Sequence, residues 1–239
     1  MEQGSHLMVK HGKGTLALVG GGEWTDRCRE LDAALLEAAG TDEVAVIPTA
    51  AAFEHADRAV ERARAHFEGL GAKVKPLMVL HRAEAEDAAV VGNLAKSRFV
   101  YLADGSPLHL RSVLKDSPLF EALVTAYQGG AVLAASGAGA TVLCDPMVDP
   151  RGGAYTVGLG VVVGLAVFPY HGTAAGHLRE RSIDLLPDGA ALVGVDEATA
   201  LVRDPSGAWR TVGAGEVSVY EDGRAVTYSG GRLVDRLTL

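Results

Sequence analysis

The stretch Ala134-Ala135-Ser136-Gly137-Ala138-Gly139-Ala140 is where the residue types of this chain best suit catalysis. It follows the apolar run Ala131-Val132-Leu133-Ala134 and leads into Thr141-Val142-Leu143. A strand that turns sharply into a helix through small residues can display a nucleophile. The apex takes strained dihedrals, and small neighbours let strand and helix pack closely around it. The pattern small-x-nucleophile-x-small fits in two registers: Ser136 between Ala134 and Ala138, or Gly137 at the apex between Ala135 and Gly139. A tight strand–helix junction without chemistry has the same composition.

Two further strand ends carry unusual sequence. One is Gly20-Gly21-Gly22-Glu23, after Thr15-Leu16-Ala17-Leu18-Val19; the other is Ala103-Asp104-Gly105-Ser106-Pro107, after Phe99-Val100-Tyr101-Leu102. Ligands of open α/β sheets bind outside the carboxyl ends of the strands, so these ends belong with the first stretch. The glycine run at Gly20–Gly22 resembles a phosphate loop only superficially. No Lys-Ser/Thr follows it, and Trp24-Thr25 does not complete Gly-x-Gly-x-x-Gly.

These positions need a scaffold, and the hydrophobic periodicity supplies one. Short apolar strands are predicted at Thr15–Val19, Val44–Ile47, Val74–Leu80, Phe99–Leu102 and Ala131–Ala134. Helical spacing fills the intervals: Asp26–Ala39, Ala56–Leu70, Glu84–Leu94, Leu108–Leu114 and Leu119–Tyr127. That alternation predicts βαβ units and a mostly parallel sheet covered on both faces. Beyond Val157 the pattern becomes β-rich. Strands are predicted at Val161–Phe168, Ala190–Val195, Ala200–Val202, Trp209–Val212, Val217–Tyr220 and Ala225–Tyr228, with one helix at Gly176–Leu186. Turn signals stand at Pro205-Ser206-Gly207 and Glu221-Asp222-Gly223. No polar linker or repeat divides the chain, so one domain over residues 9–239 is expected, preceded by an expression-tag remnant over residues 1–8.

Composition narrows the function classes. The 239 residues include 22 Lys and Arg against 30 Asp and Glu, a net charge of −8. An acidic balance argues against nucleic-acid or anionic-membrane partners. The longest apolar run, Val157–Tyr170, is broken by three glycines and is too short to span a bilayer. Two cysteines, Cys28 and Cys144, make no disulfide framework, and a cytoplasmic location is expected. No metal-ligand spacing is evident, and neither a metal nor a cofactor is expected. His177-Leu178-Arg179-Glu180-Arg181 places His177 and Arg181 on one helix face, where a solvated face is the simpler account. His81 and His109 read as structural residues.

Taken in order, Leu18-Val19-Gly20-Gly21-Gly22-Glu23, Ile47-Pro48-Thr49-Ala50, Gly105-Ser106-Pro107 with Leu110-Arg111, the elbow stretch, and Pro169-Tyr170-His171 after an apolar strand carry a resemblance. The chain is similar to the cyanophycinase and dipeptidase E family of serine peptidases. The resemblance implies a flavodoxin-like three-layer sandwich of the class I glutamine amidotransferase type, with a β-rich C-terminal flank. It also implies a serine nucleophile at the elbow, a histidine base after the long apolar strand, and backbone amides that bind the oxyanion. Serine needs such a base within hydrogen-bond reach, and the developing oxyanion needs preorganised donors.

The sequence departs from the family pattern at the positions that matter. The family elbow reads Gly-x-Ser-Ala-Gly-Ala; the matching residues Ala135–Ala140 put Gly137 at the nucleophile position. Tyr170 stands where the family has its histidine, and the family's paired glycines appear as Asp104-Gly105. A carboxylate there would oppose an oxyanion. Three readings follow. In the first, the chain has lost serine peptidase activity and keeps a pocket for a small peptide or amino-acid derivative, lined by Asp104, Gly105, Ser106, Gly137, Ala138 and Tyr170. In the second, it is an active small-peptide hydrolase using Ser136 with His171 as base and the Gly105 and Ala138 amides as oxyanion donors. In the third, it is a non-catalytic interaction subunit whose C-terminal strands pair with a second copy, as a homodimer. Asp149 is a candidate third triad member, although it and Asp145 equally suit a Pro-punctuated turn.

Overall fold

The computed structural model describes residues 14–221 and 224–237. The expected tag remnant lies outside the described residues, as do Asp222 and Gly223 of the second turn signal. Five strands, β1 (Leu16–Val19), β2 (Glu43–Ile47), β3 (Lys73–Pro76), β4 (Phe99–Leu102) and β5 (Val132–Ser136), form parallel pairs in the order β1-β5-β4-β2-β3. The helices between and after them are α1 (Arg29–Ala39), α2 (Ala56–Glu68), α3 (Arg82–Ala85), α4 (Ala88–Leu94), α5 (Pro107–Leu114), α6 (Pro118–Gln128) and α7 (Ala138–Leu143).

Both faces of this sheet are covered, and successive residues of β1 show it. Leu16 and Leu18 join one apolar core, whereas Ala17 and Val19 join the other. Alternation of side chains across a pleated strand requires this when both faces are buried.

Four two-residue strands follow: β6 (Cys144–Asp145), β7 (Met147–Val148), β8 (Tyr155–Thr156) and β9 (Val162–Val163). Then come β10 (Leu165–Phe168), α8 (Gly176–Asp184), β11 (Ala191–Val195), β12 (Thr199–Arg203), β13 (Trp209–Gly213), β14 (Glu216–Glu221) and β15 (Arg224–Ser229). The β-rich flank divides its strands. β12 and β13 extend the central sheet antiparallel beyond β1, making seven strands, while β10, β11, β14 and β15 form a second sheet of four.

Several predicted elements are shorter or divided, three of them for a clear local reason. β3 stops at Pro76 rather than Leu80, because proline lacks the N–H a ladder needs. The helix predicted over Glu84–Leu94 is two, since the Asp87 carboxylate accepts from Ala89 N at 2.8 Å and Val90 N at 3.0 Å and caps a new start. The strand predicted over Val161–Phe168 breaks at Gly164 into β9 and β10.

Candidate active site

β1, β5 and β4 are neighbours in the sheet, so their carboxyl ends meet at one place. This brings together Gly20–Glu23, Asp104–Ser106 and the β5–α7 turn, which are distant in sequence. Gly137 is the apex of that turn, with φ 47° and ψ −103°, a combination that favours glycine. Of the two registers the sequence leaves open, the geometry places Gly137 at the apex. Ser136 is the last residue of β5 and is fully buried.

The space beside the apex is taken. A Cβ built on Gly137 would lie deep inside van der Waals contact with Asp104 Cγ and both of its carboxylate oxygens. Asp104 Oδ1 accepts hydrogen bonds from Ala138 N at 2.6 Å and Gly105 N at 2.7 Å, and Oδ2 accepts one from the Tyr170 hydroxyl. The two amides offered as oxyanion donors therefore converge, and they converge on a protein carboxylate.

Glu23 completes the cluster. Its Oε2 accepts a hydrogen bond from Ser136 Oγ at 2.8 Å, and its Oε1 accepts one from Asp104 N at 3.3 Å. Burial, and then the charge of Asp104, push the Glu23 carboxyl above its ordinary range. The sequence marks the Gly20–Glu23 strand end as a place where α/β sheets bind, but does not single out Glu23 within it.

Tyr170 reaches this cluster from the second sheet. Its φ of 53° is uncommon for a residue with a side chain, and Tyr170 N donates to Gly20 O at 2.7 Å to hold the bend. The phenol ring lies on Gly21, where a Cβ would collide with it. Burial and the neighbouring Asp104 carboxylate raise the Tyr170 hydroxyl above its ordinary pKa. His171, one residue on, engages different partners. Its Nε2 is 2.7 Å from Tyr220 Oη, and its Nδ1 is 3.5 Å from Asp196 Oδ1. Burial lowers its pKa against the pull of Asp196. Ser136 and His171 are thus each hydrogen-bonded elsewhere, and the structure does not bring them together as a nucleophile–base pair.

The remaining candidates have local roles. Ser106 caps α5 by accepting from His109 N at 3.3 Å. Asp145 Oδ1 accepts from Gly158 N at 3.2 Å. Asp149 is clasped by Arg151 at 2.6 Å, which holds its carboxyl below the usual range. His109 Nε2 sits 2.8 Å from Leu80 O, and His81 N donates to Glu84 Oε2 at 2.8 Å at the start of α3. His177 is exposed on α8. Both cysteines are buried, and burial raises both thiols. Among the described residues no helix is long and apolar enough to cross a membrane.

Above the cluster opens a cavity of about 580 Å³, into which Glu23, Asp104 and Tyr170 face. Its apolar wall includes Pro107, Ala138, Val148, Phe168 and Leu178, and Glu54, Arg62 and Asp149 bring further charge to the lining. Ser136 and His171 do not line it. The volume suits a small molecule or a short peptide.

Comparison with known proteins places this geometry in a family. The model of peptidase family S51 matches residues 16–204, which include β1, the elbow, Asp104 and Tyr170. The chain belongs to peptidase family S51. Within that family it is similar to a cyanophycinase of Synechococcus elongatus, 27% identical over 93% of this chain and 72% of the relative. A cyanophycinase of Nostoc sp. is 30% identical over 65% of this chain and 56% of the relative. Among solved structures, a peptidase from an acI-B1 actinobacterium superposes with a TM-score of 0.84 at 28% identity, covering 94% of this chain and 97% of that one. The fold is therefore shared with that structure over nearly the whole chain.

Proposed function

We propose that this S51-family protein has lost serine peptidase activity and uses its cavity to hold a small peptide or amino-acid derivative. One observation carries the reading: the Asp104 carboxylate fills the space that a side chain at position 137 would enter and occupies the Ala138 and Gly105 amides. An acyl oxygen seeking those amides meets a carboxylate already bound there, and like charge opposes the developing oxyanion. The Ser136 hydroxyl, one residue before the apex, is buried and hydrogen-bonded to Glu23 rather than to an imidazole. A serine without a positioned base within reach is a weak nucleophile.

A fluorophosphonate probe tests this directly. No labelling of Ser136 is expected, and stoichiometric labelling there would overturn the reading. Reconstruction gives a second arm, assayed on a dipeptide panel. Gly137→Ser with Tyr170→His is expected to remain inactive while Asp104 occupies the amides. Adding Asp104→Gly should be needed before any hydrolysis emerges.

A further inference from the structure

We propose that Asp104 is itself a nucleophile, and that this site hydrolyses a small epoxide through an ester on the Asp104 carboxyl. The inference builds on the loss of serine chemistry and goes beyond it, because it assigns an activity to the groups that stand in the serine's place. Four observations converge. The carboxylate lies at the elbow apex, in the volume a nucleophilic side chain would fill. It faces a cavity with an apolar wall. Its Oδ1 is held by two backbone amides, leaving Oδ2 as the attacking atom. The Tyr170 hydroxyl already donates to Oδ2, so a ring oxygen arriving beside that atom finds a donor in place.

The electrons and protons balance within the chain. Oδ2 attacks one ring carbon of the epoxide; that carbon–oxygen bond breaks, and the released oxygen takes the proton of the Glu23 carboxyl while Tyr170 donates a hydrogen bond to it. Asp104 is now a neutral ester. Glu23, having given up its proton, is a carboxylate, and the Asp104 charge that adds to burial in disfavouring that form has gone, so Glu23 can act as a base. Glu23 removes a proton from water as the water oxygen adds to Asp104 Cγ, and negative charge develops on Oδ1. The Ala138 and Gly105 amides already point at that oxygen, so the same two donors serve as an oxyanion hole for the enzyme's own ester. Collapse breaks the Cγ–Oδ2 bond, Glu23 returns its proton to the departing alkoxide, and a diol leaves. The new Asp104 carboxyl passes its proton to Glu23, restoring the starting state. Ser136, bonded to Glu23 Oε2, is a positioning residue for that proton carrier.

The full chain is incubated with glycidyl nitrophenyl ether in water enriched in heavy oxygen. The expected results are diol formation, heavy oxygen entering Asp104 during a single turnover, and loss of diol formation by about a thousandfold in Asp104→Asn. Glu23→Gln should lose diol formation, because ring opening then lacks its proton donor and ester hydrolysis lacks its base. Diol formation that persists in Asp104→Asn, or proceeds without heavy oxygen in Asp104, would overturn the assignment. So would a folded wild type that yields neither diol nor adduct, or a folded Glu23→Gln that forms diol as fast as the wild type. These two readouts do not depend on whether Asp104→Asn folds. Fluorophosphonate labelling of Ser136 would instead strike the loss of serine chemistry, so the two failures are distinguishable.

Discussion

The carboxylate of Asp104 and a side chain at Gly137 are mutually exclusive occupants of one volume. Gly137 is constrained twice, by its φ of 47° and by this neighbour. The two constraints can be separated by a double-mutant cycle. Gly137→Ser alone is expected to destabilise the protein by about 2–6 kcal/mol, from roughly 1–3 of backbone strain and roughly 1–3 of overpacking. In an Asp104→Gly background only the strain should remain, near about 1–3 kcal/mol. Denaturant unfolding of the four proteins measures the coupling. Additive effects would mean that Asp104 does not obstruct the apex.

Glu23 makes the site's stability depend on pH, and the sign follows from its raised pKa. The folded protein binds the Glu23 proton more tightly than the unfolded chain does. Its contribution is therefore fully present below the ordinary value of 4.5 and is lost as pH rises through the higher folded value. Glu23→Gln removes the titrating group. Unfolding free energies of wild type and Glu23→Gln, measured from pH 4 upward in steps of about one unit, should diverge with the variant gaining on the wild type as pH increases. Parallel curves would show that the carboxyl titrates normally.

Much of this architecture is legible in the sequence, because short apolar strands spaced by amphipathic helices leave few alternatives to a parallel sheet covered on both faces. The elbow and the Asp104-Gly105 strand end are legible for a similar reason: runs of small residues after a strand have few structural uses. Glu23 is not. Its significance depends on β1 and β4 flanking β5, which is a matter of strand order and not of local pattern. The two partners of His171, Asp196 and Tyr220, lie on and beside strands far along the chain, so only the folded second sheet reveals where the imidazole goes. The family resemblance places Tyr170 near the site, but the bend that turns its phenol onto Asp104 is held by Gly20 O, a tertiary contact.

Away from the cavity, the helices α1 and α2 share a buried polar pair, His66 Nε2 and Asp32 Oδ2 at 2.8 Å, with Asp32 fully buried. Burial raises the Asp32 carboxyl against the lowering effect of His66. Removing one partner leaves the other without compensation in an apolar layer. His66→Ala is expected to lower stability by about 3–5 kcal/mol. Replacing the pair together, as Asp32→Leu with His66→Met, should lose much less, because no polar group is then stranded. Thermal or denaturant unfolding compares the singles with the double, and a double variant as damaged as the sum of the singles would show that the two side chains do not act as a pair.

Tyr170 allows the hydrogen bond at the centre of the site to be tested without disturbing the backbone. Tyr170→Phe keeps the ring on Gly21 and the bend at Gly20 O, and deletes only the hydroxyl that donates to Asp104 Oδ2. A hydrogen bond to a charged acceptor contributes about 1.5–3 kcal/mol, and a stability loss of that order is expected. Denaturant unfolding of wild type and Tyr170→Phe measures that loss directly. Undiminished stability in the variant would mean that the phenol–carboxylate contact contributes nothing to the folded site.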